Sequence, residues 1–598
     1  MYPYGLIGNC QVSALISNLG SISWFCVPRP DSPPVFGEIL DPSGGAFSIL
    51  LQGQIDPAQC TQYYLENTNI LVTEIQNTDQ ARIRITDFCP RFEQFGRMYR
   101  PASIFRWVEP LKGTPAIQVL VQPVNGWDRE PAQATRGNSH VRYDLAGDQF
   151  RVTTDMPLTH LTEGLVYRLN SKHTFALTYG AGIEDDLIQV SERFFNQTVQ
   201  YWRTWVKHCT IPTLFQKETI RSALALKLHC YEDTGAILAA LSTSLPEEIG
   251  KNRNWDYRYC WLRDAHFVLS ALHNLGHFEE MEGFLRFLLE VAAQLGESGE
   301  NRLAPVYSLG GELPLPETVQ TKWRGYRSSA PVRTRNQAAE HIQNDVYGEM
   351  VLTLVPIYFD HRFFHLRTPE HEKLLSTLAV RCAAAIGTED AGLWEIRNGW
   401  RNHSFTNLMS WAGLERIHRI QNSLGKDCLS VDAAFVKTQM DRAAEAVMLS
   451  ESEGSIRNGP KDSTLDASLA LASILRFPNQ KAATHTLTEI RKNLALGTQR
   501  PFSSFFYRYR RQDDFGQPGS AFLICSFWMA QALARSGRIN EAQEILADAA
   551  QAASPLGLFS EHFDPAEKLQ LGNFPQTYSH VGMINAAFDV SPGWNQVL

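Results

Sequence analysis

Two hydrophobic periods divide the chain. Up to about residue 190, apolar and polar positions alternate in short runs: Ile70-Leu-Val-Thr-Glu-Ile-Gln, Ala81-Arg-Ile-Arg-Ile-Thr-Asp, Ala116-Ile-Gln-Val-Leu-Val-Gln-Pro and Thr174-Phe-Ala-Leu-Thr-Tyr. A repeat of two, punctuated by Gly, Pro, Asn and Asp, predicts antiparallel strands, and several of them over this length predict a β-sandwich. Near Glu192 the period lengthens to that of a helix. A linker over 191–215, carrying a helix at 193–207, is followed by helices at 216–232, 264–275, 277–295, 337–359, 370–386, 406–422, 430–449, 463–475, 482–494, 520–536, 539–552 and 577–588. These fall in consecutive pairs, and six helical hairpins close naturally into a ring, an (α/α)6 barrel over 216–598. The loops at 296–336, 387–405, 450–462, 497–518 and 553–576 are long for a compact helical unit, which marks them as places for function.

Composition narrows the classes of function. With 598 residues, two or more folding units are expected. The net charge of -8 and pI near 6.1 give no electrostatic reason to bind nucleic acid or an anionic membrane, and no apolar run approaches a membrane span. The N-terminus lacks the pattern of a secretory signal, and the ten scattered cysteines form no Cys-x-x-Cys pair. A cytoplasmic location with reduced thiols is therefore expected. There is no phosphate-binding loop, no Gly-x-Ser-x-Gly elbow and no His-Glu-x-x-His, and no metal site or cofactor is indicated.

The candidate chemistry is carboxylate chemistry. Glycoside hydrolysis needs one carboxylic acid to protonate the leaving oxygen and one carboxylate to activate water or attack carbon. Glu395 lies in Gly392-Leu-Trp-Glu-Ile-Arg, in a long loop before a helix, where apolar neighbours are expected to favour its protonated form. Glu561 lies in Gly557-Leu-Phe-Ser-Glu-His-Phe-Asp-Pro, again in a loop before a helix. In Arg253-Asn-Trp-Asp-Tyr-Arg-Tyr-Cys-Trp-Leu-Arg-Asp-Ala-His, aromatic and charged residues alternate. That mixture suits a sugar, whose C–H faces stack on rings while its hydroxyls bond to Arg and Asp. Asp264 in this segment equally suits the first turn of a helix.

Taken together, these segments resemble glycoside hydrolase family 15, which holds glucoamylases, glucodextranases and bacterial trehalases. Ile7-Gly-Asn-Cys-Gln-Val-Ser, Gly20-Ser-Ile-Ser-Trp and Pro28-Arg-Pro-Asp-Ser-Pro-Pro-Val-Phe-Gly look like its trehalase-like N-terminal part. The Arg253–Ala265 segment, Gly325-Tyr-Arg, Pro331-Val-Arg, Asn336-Gln-Ala-Ala-Glu, Asp345-Val-Tyr-Gly-Glu and Gly572-Asn-Phe-Pro-Gln-Thr-Tyr-Ser-His follow in order. The resemblance implies a β-sandwich followed by an (α/α)6 barrel, and inverting hydrolysis with Glu395 as general acid and Glu561 as general base. It places Trp261, Arg263 and Asp264 on the nonreducing glucosyl unit, Trp394 and Arg327 at neighbouring subsites, and His580 near the base, with Tyr257 as a further substrate-binding residue. It ranks α-1,4 or α-1,6 gluco-oligosaccharides slightly ahead of trehalose as the substrate, with a noncatalytic carbohydrate-binding protein and an enzyme for another sugar, such as a uronic acid, as alternatives. It leaves oligomeric state and dependence on phosphate or magnesium open. One departure stands out: Asn407 replaces a lysine usual after the acid, which is expected to alter the acid or the leaving-group subsite.

Overall fold

The computed structural model describes residues 1–145, 147–293 and 302–598. The end of the helix expected at 277–295 and the start of the loop expected at 296–336 lie outside these residues.

The N-terminal part is two antiparallel sheets face to face. One has seven strands, running Tyr4–Gly8, Ser13–Ser17, Ile22–Cys26, Ala46–Leu51, Ala116–Gln122 and Tyr167–Arg168, with Pro34–Phe36 paired to Ile22–Cys26. The other has eight, and its centre is Leu71–Gln76, Arg82–Phe88, Ser103–Lys112 and His173–Tyr179. Ile7, Ile22, Phe47 and Ile49 from the first sheet meet Ile83, Ile85, Val108 and Leu177 from the second in one core. The alternation read at 81–87 holds over 82–85, where Ile83 and Ile85 are buried while Arg82 and Arg84 reach Glu74, and stops at Thr86 and Asp87, which are both buried. In Leu71–Gln76, by contrast, all six residues are buried. A connecting helix, Leu187–Lys207, packs on the outer face of the eight-stranded sheet, where its Val190 and Phe194 cover Ile70, Phe88 and Phe105.

The helical part alternates outer and inner helices. In chain order they are α1 (Gln216–His229), α2 (Leu262–Leu275), α3 (Glu279–Ala293), α4 (Asp345–Leu354), α5 (Pro369–Ala385), α6 (Ser404–Leu424), α7 (Ala433–Met448), α8 (the 3-10 turn Ala467–Ala470 continued by Leu471–Ile474), α9 (Gln480–Leu494), α10 (Leu523–Arg535), α11 (Ile539–Ala550) and α12 (Thr577–Val590). The even-numbered helices touch one another in sequence and close from α12 back to α2, with the odd-numbered ones outside them. Burial follows this position. α10 buries every residue but Arg535, whereas α9 buries only the stripe Ala482, Ala483, Thr486, Leu487, Ile490 and Leu494. Inner helices approach closely where side chains vanish: a Cβ on Gly348 of α4 would collide with the Met409 carbonyl of α6.

Two helices depart from their expected form. The single helix read at 337–359 is a 3-10 turn (Gln337–Glu340), then α4, then Pro356–Phe359. Proline at 356 lacks an N–H to continue α4, and the extended stretch before Asp345 carries Gln343 to the candidate site. The start of the helix read at 463–475 gives way to a turn capped by Asp466, which accepts from Ser468 N–H.

Candidate active site

Outer-to-inner connections all lie at one end of the barrel, so the residues that open the inner helices converge there. Trp261 precedes α2, Gln343 precedes α4, Glu395 lies between α5 and α6, Asp466 precedes α8, Arg508 and Phe522 lie between α9 and α10, and Glu561 and Gln576 lie between α11 and α12. A cavity of about 460 Å³ between them is lined by Tyr257, Trp261, Arg263, Asp264, Trp394, Glu395 and Glu561. Both candidate carboxyls thus face one space. A second cavity of about 490 Å³ adjoins it, sharing Tyr257, Trp394, Glu395 and Arg508, and extends past Trp255, Arg397 and Phe515.

Glu395 stands at φ +59°, a left-handed backbone that costs a non-glycine residue about 1–2 kcal/mol. The surrounding loop holds it there. Buried Asp390 accepts from the N–H groups of Gly392 and Asn344 and from the Thr406 hydroxyl, and Ile396 N–H returns to the Ala391 carbonyl. The Trp394 indole donates to both oxygens of Asp466, at 2.9 Å each. On Glu395 itself, Oε1 accepts from the Trp261 indole at 2.6 Å and from Arg263 at 3.1 Å. With Oε1 occupied by donors, Oε2 is the oxygen able to carry a transferable proton. Arg263 also donates to Tyr578 (2.9 Å) and Gln343 (2.6 Å), which fixes its plane.

Glu561 is 2% exposed. Its backbone N–H bonds to the Asn573 carbonyl, and Asn573 N–H returns to its Oε2 at 3.3 Å. Gly572 faces it so closely that a Cβ would lie 2.5 Å from Oε2. Burial, and then the charge of Glu247, push the Glu561 carboxyl well above the ordinary range; Arg508, the Asn573 N–H and Tyr257 pull the other way. Glu247 has the opposite fate. Against the cost of burial, Arg508 (3.0 Å), His562 and Arg253 hold it below its ordinary value. Asp264 is pushed up to about 7, by burial and by the charge of Glu395, although Arg263 opposes this. It lines the cavity in the first turn of α2 but does not cap the helix; Trp261 holds the cap position, without a side-chain hydrogen bond.

Arg327 and His580 stand apart from the other named residues. Arg327 is exposed and rests on the Tyr326 ring at 5.3 Å, outside both cavities. His580 is fully buried. Its Nε2 accepts from Phe559 N–H and its Nδ1 meets the Ser222 hydroxyl, so it supports the loop leading to Glu561 rather than lining the space. Asn407 is also structural: it accepts from Gly387 N–H and donates to Asn402, fastening the acid loop to α6 without lining either cavity. Sequence reading missed Arg508, Tyr578, Gln343 and Glu247. Arg508 lay in view within Tyr507-Arg-Tyr-Arg-Arg, but nothing local separates it from its exposed neighbour Arg510.

Among the described residues, one group offers three potential metal ligands: Glu247, Glu561 and His562 place one atom each within 4.8 Å of one another. A cation there would sit on the Glu561 carboxylate itself.

Residues 215–588 match the pattern of glycosyl hydrolases family 15, and residues 3–175 match the trehalase-like N-terminal family. The chain belongs to glycoside hydrolase family 15. It is a glycoside hydrolase. A trehalase of Mycolicibacterium smegmatis is 31% identical, the match covering 98% of this chain and 90% of that protein. A trehalase of Thermoplasma volcanium is 28% identical over 98% of this chain and 92% of its own length. Among solved structures, a bacterial glucoamylase complexed with acarbose superposes with a TM-score of 0.69 at 14% identity, covering 98% of this chain and 94% of that one, and so shares the sandwich-plus-barrel fold. No helix among the described residues is long and apolar enough to cross a membrane.

Proposed function

We propose that this hydrolase splits α,α-trehalose with inversion, Glu395 acting as general acid and Glu561 as general base. The observation that carries the reading is the pair of carboxyls facing one cavity, with a second cavity beginning at Glu395. A glucosyl ring in the inner space, against Trp261, Arg263 and Asp264, puts its anomeric carbon between the two acids, and the leaving glucose then occupies the outer space. Trehalose moves ahead of the gluco-oligosaccharides that the sequence ranked first because relatives aligned along nearly the whole chain bear the name trehalase.

Glu395 gives the proton on Oε2 to the bridging oxygen as the C–O bond breaks. Glu561, ionised, takes a proton from a water that attacks the opposite face of the same carbon. Arg263 and the Trp261 indole, already on Oε1, stabilise the carboxylate that the donated proton leaves behind. Inversion at the attacked carbon makes that glucose β, while the glucose that leaves keeps its α configuration.

Proton NMR from the first minute tests this with trehalose, maltotriose, isomaltotriose and kojibiose in separate tubes. Equal initial α- and β-glucose from trehalose, abolished in Glu561→Gln, is the expected result. Only α-glucose from trehalose overturns inversion. β-Glucose from another tube alone reassigns the linkage, and no reaction in any tube moves the reading to another sugar or to binding.

A further inference from the structure

Behind Arg263, away from the cavity, α4 presents two acids one turn apart, Asp345 and Glu349. Both are 0% exposed, and apart from Asp345's own backbone N–H and each other, their four carboxyl oxygens have no hydrogen-bond partner among the described residues. The nearest cation is Arg263, with Nη1 3.7 Å from Asp345 Oδ2. Two ionised carboxylates placed i, i+4 in such surroundings would repel each other with no side-chain donor in hydrogen-bond reach to compensate, which a buried site does not sustain. A single proton between them removes the repulsion and supplies the missing donor: one acid is a neutral hydroxyl donor and the other a lone anion. Asp345 is the anion, because it lies nearer Arg263, and Glu349 holds the proton.

We propose that Asp345 and Glu349 share one proton and present a single negative charge to Arg263, dividing that guanidinium between Asp345 behind it and Glu395 in front. The division matters for catalysis. Arg263 bonds Glu395 at 3.1 Å, and an undivided cation there would favour the ionised form, which cannot act as an acid. Asp345 draws off part of that attraction. It touches no substrate and is a positioning residue, acting through Arg263. The other titratable groups around the set are Asp264 of α2, Tyr578 of α12 and Asp390 of the acid loop. Tyr257, His341, Arg508 and Glu561 face Glu395 from the cavity side.

This inference rests on reading Glu395 as the proton donor, and two measurements separate its failure from the failure of that reading. The first needs no activity. Infrared difference spectra in heavy water at mildly alkaline pH, wild type minus Glu349→Gln, show the carbonyl stretch of a protonated, buried carboxylic acid that the variant lacks. Absence of this band overturns the shared proton. The second is the basic limb of the pH profile of kcat/KM. In Asp345→Asn, Arg263 falls wholly to Glu395 and the limb moves down by about one pH unit. In Glu349→Leu, Asp345 loses its donor, becomes neutral more readily, and the limb moves the same way. Glu349→Gln keeps an N–H donor, and its limb stays at the wild-type position. A lower kcat with all limbs unmoved, or equal shifts in Glu349→Gln and Glu349→Leu, overturns the proposal. Glu349→Leu decides the matter if Asp345→Asn does not fold.

Discussion

At the scale of single residues, the two candidate catalytic carboxyls live in opposite settings. Glu395 is 19% exposed and held by an indole and a guanidinium on one oxygen, whereas Glu561 is almost wholly buried beside a second acid. Replacing either by Gln leaves the shape of the cavity intact and removes one proton transfer. Each variant is expected to lose about 10²–10⁴-fold in kcat with KM little changed, measured by glucose release from trehalose. A large rise in KM instead would mean the carboxyl serves binding. The environment of Glu561 also makes a prediction about pH. Burial and the Glu247 charge raise its carboxyl, so, with Glu561 as the proposed base, kcat/KM is expected to fall at a pH above the ordinary carboxylate range as the solution is acidified. Glu247→Gln deletes the like charge and frees Arg508, both of which favour ionised Glu561. The acid limb of that variant is expected to move to lower pH by about one unit, and a limb that stays or rises contradicts the assignment.

At the scale of elements, both candidate catalytic residues lie in loops that lead into inner helices. Gly572, at φ +71°, directly follows the second strand of the pair His562–Asp564 and Leu569–Leu571 and lies against Glu561. Gly572→Ala would add a Cβ in a backbone region that opposes it and push the carboxylate sideways. A displacement of an ångström costs about 100-fold in rate, so kcat is expected to fall by that order while the far-UV circular dichroism is unchanged. The acid loop depends on Asp390, whose carboxyl is pushed up to about 7 by burial and by the charge of Asp345. The unfolded chain ionises this group near 3.8, so the folded protein binds the extra proton between those values. Its contribution to stability is full below pH 4 and is lost as pH rises through about 7. In Asp390→Asn that slope disappears, and the thermal midpoint is expected to fall less between pH 5 and 7 than in the wild type. Parallel curves for the two proteins would refute it.

At the scale of the whole molecule, the sandwich is part of the frame of the site. Arg258, in the segment that leads to Trp261, is 1% exposed; it pairs with Asp256 and reaches across to the carbonyls of Pro30 and Ser32, between the rings of Trp24 and Trp127. The Tyr2 hydroxyl donates to the carbonyl of Gly572, the residue packed against the proposed base Glu561. Arg258→Ala strands a buried Asp256 and is expected to destabilise the protein by about 3–5 kcal/mol, read as a lowered urea midpoint. A midpoint within error of the wild type would show that the sandwich merely rests on the barrel.

Much of this was legible in the sequence, for a physical reason. A strand or helix that buries one face writes its period into neighbouring positions, so the alternation at 81–87 and the stripe of α9 each announce their element. Around Glu395 and Glu561, crowded aromatic, glycine and acidic residues in loops before helices singled out the segments as candidates, and only the resemblance to family 15 gave the two acids their expected roles. Where local pattern failed, a distant partner had decided the outcome. The break before α4 serves Gln343, which bonds Arg263 from 80 residues away. Arg508 is told from Arg510 by Glu247, 261 residues earlier in the chain. Arg327 and His580 sit beside the right motifs yet outside the cavity, since sequence proximity does not set the direction of a side chain. The buried acidic pair Asp345 and Glu349 is the sharpest case. Along the chain it is an ordinary i, i+4 acidic spacing, and only the closing of α4 against its neighbours removes the water that would have made it ordinary in fact.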